Sequence, residues 1–270
     1  MTATAPATGA LQAVFDTLQR KHFPATEFTE PHAGTVTARF FQSRLTSAFQ
    51  PIVRVCDGAI VGHHALLRVF DAGDGAIAPW SVFAQAAQDD MLVQLDRLCR
   101  TVHALNYFPC QGASRLLFLN VDPRLLGIVA DDHGAYFELI LAELRIAPKC
   151  VAIVLPADAL GDPVTFVRAA ISYRMRGYRV VAQLRANSEV DLEHIFLAEP
   201  HDVALDGPTV GTTDDTRKVV EALARRGIHA LARHIEDEPQ AQAARDAGFG
   251  FLQGRHFAAP LVSQRAASFS

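Results

Sequence analysis

From Arg115 to Gln253 the sequence repeats one pattern: a short apolar run, a longer segment with helical apolar spacing, a glycine or a break, and another short apolar run. Arg115–Val121 (RLLFLNV) reads as a buried strand, Tyr136–Leu144 as a helix, Cys150–Leu155 as a strand, and Pro163–Arg176 as a helix stopped by Gly177. Arg179–Leu184 is the next strand, followed by a short helix over Glu189–Leu197 and a strand over Asp202–Asp206. A helix over Thr213–Arg226 closes at Gly227, a strand follows over Ile228–Arg233, and a helix over Pro239–Ala247 ends at Gly248 before the strand Phe249–Gln253. Strands separated by whole helices pair in parallel through crossover connections.

The earlier chain adds a different signal. Ala48–Cys56 and Ile60–Phe70 are apolar runs joined by Asp57-Gly58, a hairpin-type turn. Pro79 opens a helix through Ala87, and Met91, Leu95, Leu98, Val102 and Leu105 mark a longer one at three-to-four spacing. With about eight strands, the pattern suits an α/β fold of the (β/α)8 TIM-barrel type, with one strand near the start made antiparallel by the hairpin. A doubly wound open sheet is the alternative, weakened by the lack of a Gly-rich phosphate loop after the first strand. Residues 1–9 read as a loose tail, and residues 10–22 as a helix with Leu11, Val14, Phe15 and Leu18 on one stripe, expected to pad the barrel, with contact to a partner as the alternative. Pro24, Pro31 and Gly34 suggest a linker over 24–40. The expected organisation is thus an N-terminal extension over 1–40, a barrel over 41–265 and a tail over 266–270.

Half of the 270 residues are hydrophobic and a fifth are charged, enough for one sizeable core and incompatible with global disorder. The formal net charge of −4 gives no general argument for nucleic-acid or anionic-membrane binding. No apolar run spans a bilayer, and the N-terminus lacks the basic start and apolar stretch of a secretory signal, so the chain reads as cytoplasmic. Cys56, Cys99, Cys110 and Cys150 lack metal-ligand spacing and read as buried thiols in a reducing compartment rather than as zinc ligands or disulfides.

In such a barrel, chemistry sits where strands end and loops begin. Those positions are Arg68, Asn120, Leu155, Gln183, Asp206, Arg233 and Gln253, with His64 inside the second strand. The set is poor in acids. Asp206, with Asp122 and Glu236 just beyond, makes a weak site for a pair of divalent cations. The bases Arg68, Arg233, His64, His234, Arg255 and His256 suggest instead an anion-accepting pocket or a surface for acidic groups on a partner. For each histidine a hydrogen-bonded structural role is the safer expectation.

Separated pieces of the sequence resemble the EAL domain family of bacterial cyclic-di-GMP phosphodiesterases. Phe49-Gln50-Pro51-Ile52-Val53 followed by Gly62-His63-His64-Ala65-Leu66-Leu67-Arg68 resembles the family's opening Q-P-I, then G, then E-A-L-L-R. The match extends through Leu95-Asp96-Arg97 and Leu119-Asn120-Val121. Ala232-Arg233-His234-Ile235-Glu236 stands where the family has A-E-G-V-E. Gly248-Phe249-Gly250-Phe251-Leu252-Gln253-Gly254, with Phe257 and Pro260, is similar to its closing G-x-x-x-x-Q-G-x-x-F-x-x-P. The resemblance covers roughly residues 41–265 and implies a barrel with an antiparallel strand near its start. Family enzymes use two Mg²⁺ or Mn²⁺ ions to activate the water that opens cyclic-di-GMP to linear pGpG.

The departures fall on the implied site. The glutamate of E-A-L is His64, while Asn120 matches the metal-binding asparagine. The two glutamates of E-I/L-T-E fall on Val154 and Ala157, and the D-D pair on Gln183 and Leu184. The lysine falls on Ala204, with Asp206 matching the following aspartate. The first glutamate of E-G-V-E is Arg233, whereas Glu236 and Gln253 match. A valine or leucine cannot hold Mg²⁺ and an arginine repels it, so the resemblance implies a non-enzymatic member with no cofactor. Gln50, Pro51, Leu66 and Arg68 match positions that line the family's nucleotide pocket, with Arg233 and Gln253 as further nucleotide candidates.

The expectations that follow are a regulatory module acting on an unidentified regulatory protein or, nearly as well supported, a metal-independent cyclic-di-GMP receptor. A working phosphodiesterase is remote. No direct nucleic-acid or membrane contact is expected, and a homodimer is compatible with the family.

Overall fold

The computed structural model describes residues 8–32, 34–111, 115–129, 132–184, 189–206 and 214–262. Residues 1–7 of the expected loose tail, the start at Thr213 of one expected helix and the expected 266–270 tail lie outside the described residues.

Helix α1 (Thr8–Lys21) comes first, and its Phe15 and Leu18 are buried in the main core. The segment expected as a linker holds two strands, β1 (Phe28–His32) and β2 (Thr35–Phe40). β2 buries three consecutive residues, Val36, Thr37 and Ala38, and pairs antiparallel with the next strand through Ala38↔Leu45. Pro31 is tolerated because β1 lies at the edge of the sheet. The sheet therefore begins before the expected Phe41 boundary.

Strands β3 (Ser43–Arg54) and β4 (Ile60–Phe70) form the expected hairpin, with Gly58 at φ +67° in its turn. After β5 (Ala76–Ile77), α2 (Pro79–Gln85) and α3 (Asp89–Gln111), the chain alternates as expected. It runs through β6 (Leu116–Asn120), α4 (Pro123–Ile128), α5 (Ala135–Glu143), β7 (Val151–Leu155), α6 (Pro163–Met175) and β8 (Arg179–Gln183). There follow α7 (Glu189–Ala198), β9 (Asp202–Asp206), α8 (Asp214–Ala224), β10 (His229–Arg233), α9 (Glu238–Asp246), β11 (Phe251–Leu252) and β12 (Leu261–Val262).

The strand order β3-β4-β6-β7-β8-β9-β10-β11 closes on itself, because β3 pairs with both β4 and β11. β3 is antiparallel to both neighbours, and the pairings from β4 and β6 round to β10 and β11 are parallel. This is a (β/α)8-type barrel with one reversed strand. Ile52, Phe118, Ala152, Val154, Val181, Ala204 and Leu231 pack together inside it. The opposite faces of the strands pack against the helices in a second, larger cluster that includes Leu117, Leu119, Ile153, Val180 and Leu205. Among the described residues no helix is long and apolar enough to cross a membrane.

Candidate functional site at the barrel mouth

Side chains alternate along a strand, so residues two beyond the interior cluster face the C-terminal mouth. On β6, Phe118 is inside and Asn120 follows; on β8, Val181 precedes Gln183. On β9, Ala204 precedes Asp206, and on β10, Leu231 precedes Arg233. His64, Leu66 and Arg68 share the inward face of β4, facing Gln50, Ala48 and Thr46 across the β3 hairpin. The close of β12 on Ala48 and Phe49 folds the loop after Gln253 back over this seam.

At the centre is a chain of hydrogen bonds. Gln253 Nε2 donates to Gln50 Oε1 at 2.9 Å and to His64 Nδ1 at 3.2 Å. His64 Nδ1 thus accepts, its proton sits on Nε2, and that nitrogen donates to Asn120 Oδ1 at 2.9 Å. Gln50 Nε2 donates to the Ala258 carbonyl at 3.0 Å. Gln50, His64 and Gln253 are all buried, and Gln253 Oε1 has no partner among the described residues. Burial, and then the Arg233 charge nearby, lowers the His64 ring to about 4, so it is neutral near pH 7.

The second feature is a charged pair. Arg233 donates from Nε and Nη2 to Asp206 Oδ1, at 3.1 and 2.6 Å. The register Arg233↔Asp206 sets them side by side on β10 and β9. His234, at φ +57°, places Nε2 3.7 Å from the same oxygen. The expected basic cluster is therefore largely compensated. Arg255 lies 3.7 Å from Glu236, and His256 lies 2.9 Å from Glu238. Asp122 caps α4 and pairs with Arg124 at 2.9 Å. Arg68 differs. It is half-buried, donates to the Leu67 carbonyl at 3.1 Å, and has no carboxylate partner among the described residues.

The other expected positions scatter. Val154 and Ala204 lie in the apolar barrel interior. Gln183 is half-buried at the end of β8. Leu184 is buried in the outer core, Ala157 opens a short 3-10 turn, and Glu236 is exposed. Leu66 is half-buried on the inward face, whereas Pro51 pairs with His63 on the helix-facing side. Among the described residues no three His, Cys, Asp or Glu side chains converge to hold a metal. The mouth offers neutral amides, a neutral imidazole and one carboxylate already paired with an arginine. That donor set does not fit two divalent cations, which need several free oxygen ligands.

Sequence reasoning missed the layer behind the site. Helix α3 contributes His103, whose Nδ1 meets Ser47 Oγ at 2.7 Å, and Asn106, which bonds the Val36 backbone at 2.7 and 2.9 Å. Tyr107 donates its hydroxyl to the Leu116 carbonyl at 3.0 Å and accepts from His63 Nδ1 at 3.1 Å. Burial lowers His63 to about 4 and His103 to about 3. The signal was present: His103, Asn106 and Tyr107 interrupt an apolar helix at core-facing positions, and buried polar groups find partners.

The fold agrees with solved structures. YkuI of Bacillus subtilis, a protein with an EAL domain in complex with cyclic-di-GMP and calcium, superposes with a TM-score of 0.68 at 21% identity. That match covers 82% of this chain and 56% of YkuI, so the chain spans little more than half the length of that protein. A standalone EAL protein from Vibrio cholerae O395, bound to cyclic-di-GMP, gives 0.67 at 19% identity over 82% of this chain and 93% of its own. The FimX EAL domain from Pseudomonas aeruginosa, bound to cyclic-di-GMP, gives 0.70 at 15% identity over 84% and 94%. No curated protein sequence matches the chain. The EAL domain model matches residues 35–260, and the chain belongs to the EAL domain family.

Proposed function

We infer that this barrel is a non-hydrolytic EAL module that acts in cyclic-di-GMP-related signalling by binding a regulatory protein. One observation carries the reading: the neutral chain Gln50–Gln253–His64–Asn120 fills the heart of the mouth. Gln50 and Gln253, at positions that resemble nucleotide-pocket residues, spend their amides on each other and on His64. Val154, Leu184 and Ala204 add no polar group. A cytoplasmic location and a homodimer are compatible with this role.

Arg68 favours a second reading, a metal-independent cyclic-di-GMP receptor. A half-buried guanidinium without a carboxylate partner among the described residues suits a phosphate. Calorimetric titration with cyclic-di-GMP, once in EDTA and once in Mg²⁺, separates the two. The protein-partner reading expects no heat in either buffer at concentrations that reveal roughly micromolar binding. Binding in EDTA that Arg68→Ala abolishes would establish the receptor instead.

A further inference from the structure

The opposite, N-terminal end of the barrel holds a cavity of about 310 Å³. Its walls are Ile52, Val61, Leu116, Phe118, Leu231 and Phe251, and its rim carries Arg54, Arg179, Asp202 and His229. Barrel interiors are normally filled by side chains. Here Val61, Leu116 and Phe251 are only half-buried, so water reaches an apolar floor that gives it no hydrogen-bond partners. The volume is about twice that of a cavity that accepts one benzene ring, at the low end for ligand pockets.

The rim has a built polar side. Asp202 is buried and accepts from Arg179 Nε and Nη2, both at 2.6 Å. His229 Nδ1 lies 3.6 Å from the same carboxylate. Arg54 is exposed and holds Asp57 through one contact of 3.3 Å. Two guanidiniums line the cavity, Arg179 held by the lining carboxylate of Asp202 and Arg54 by Asp57 outside the lining. The Arg179 fork is closed on Asp202, so Arg54 is the cation that can turn to a ligand. Its exposed contact with Asp57 gives way at little cost.

We propose that this cavity binds a small amphipathic monocarboxylate, with its alkyl or aryl body between Phe118, Leu231 and Phe251 and its carboxylate on Arg54. The site is separate from the mouth and independent of the function inferred for it.

The test titrates the purified chain with sodium octanoate, 1-octanol and octylammonium, following the methyl signals of Ile52, Val61 and Leu231 by NMR. Octanoate is expected to saturate these shifts at one per chain, binding at least about tenfold more tightly than octylammonium. Arg54→Glu, a surface change, is expected to weaken octanoate about tenfold and leave octanol unchanged. Leu231→Trp, which fills the cavity, is expected to remove the ligand-induced shifts of Ile52 and Val61. Absence of methyl shifts at roughly millimolar octanoate would overturn the site. Equal binding of octanoate and octylammonium, or octanoate binding indifferent to Arg54→Glu, would overturn the assignment of an anion.

Discussion

His64 Nε2 stands 2.9 Å from Asn120 Oδ1, on strands β4 and β6 that run parallel and carry His64 beside Phe118. The asparagine oxygen that the family resemblance gives to a metal here accepts a hydrogen bond from a neutral imidazole. Gln253 Nε2 holds the other ring nitrogen. Shortening this ring breaks both ends of the chain at once. His64→Ala should destabilise the fold by about 1–3 kcal/mol, because Gln253 is left buried beside an unfilled space. Urea denaturation checks it, and an unchanged midpoint would mean that the network holds nothing together.

Acid should weaken the protein early. His63, His64 and His103 are buried and lowered to about 4, about 4 and about 3, against 6.5 in an unfolded chain. Below pH 6.5 the unfolded chain takes up protons that the folded one refuses until about pH 4. The stability these rings contribute is thus complete above 6.5 and is lost as pH falls towards 4. Each adds a slope of up to about 1.4 kcal/mol per pH unit. Asp96, raised by burial and drawn back by Arg100, acts in the opposite sense, as a single group. Calorimetry between pH 7 and 5 should show Tm falling steeply, with a shallower fall in His103→Gln. A flat Tm contradicts the account.

The ion pair Asp96–Arg100, 2.6 Å long and almost wholly buried, ties α3 to Tyr173 on α6 through Arg100. Asp96→Ala should cost about 3–5 kcal/mol, since it strands a buried guanidinium. Asp96→Leu with Arg100→Met should recover most of that loss. Denaturation midpoints for the single and double variants decide it.

His234 sits at φ +57°, at a position where the family pattern A-E-G-V-E carries glycine. A left-handed conformation costs any residue with a Cβ. His234→Gly should therefore raise stability by about 0.5–1 kcal/mol. Gly254 is the reverse case, because a Cβ there would collide with the Ile235 backbone. Gly254→Ala should lower stability by about 2 kcal/mol or more and disturb the neighbouring Gln253. Thermal melts of the two variants should move in opposite directions.

Much of the barrel was legible because its signals are local. Asp57-Gly58 marked the hairpin, and Gly177, at φ +82°, marked the end of α6. β1 and β2 were not legible. Pro24, Pro31 and Gly34 dominate that stretch, and its strand character depends on pairing with Leu45 and on Asn106, 70 residues away from Val36. The charge of the site was harder to read. Arg233, Arg68 and His64 looked like a cationic cluster. Only the register that puts Asp206 beside Arg233, and the burial that keeps His64 neutral, reveal how little of that charge is free.

The most direct test of a non-hydrolytic mouth is to incubate the protein with cyclic-di-GMP and Mg²⁺ or Mn²⁺ and separate the products by chromatography. The donor set described here leads to no pGpG above a protein-free control. Linear pGpG that accumulates with protein and stops on adding EDTA would contradict it.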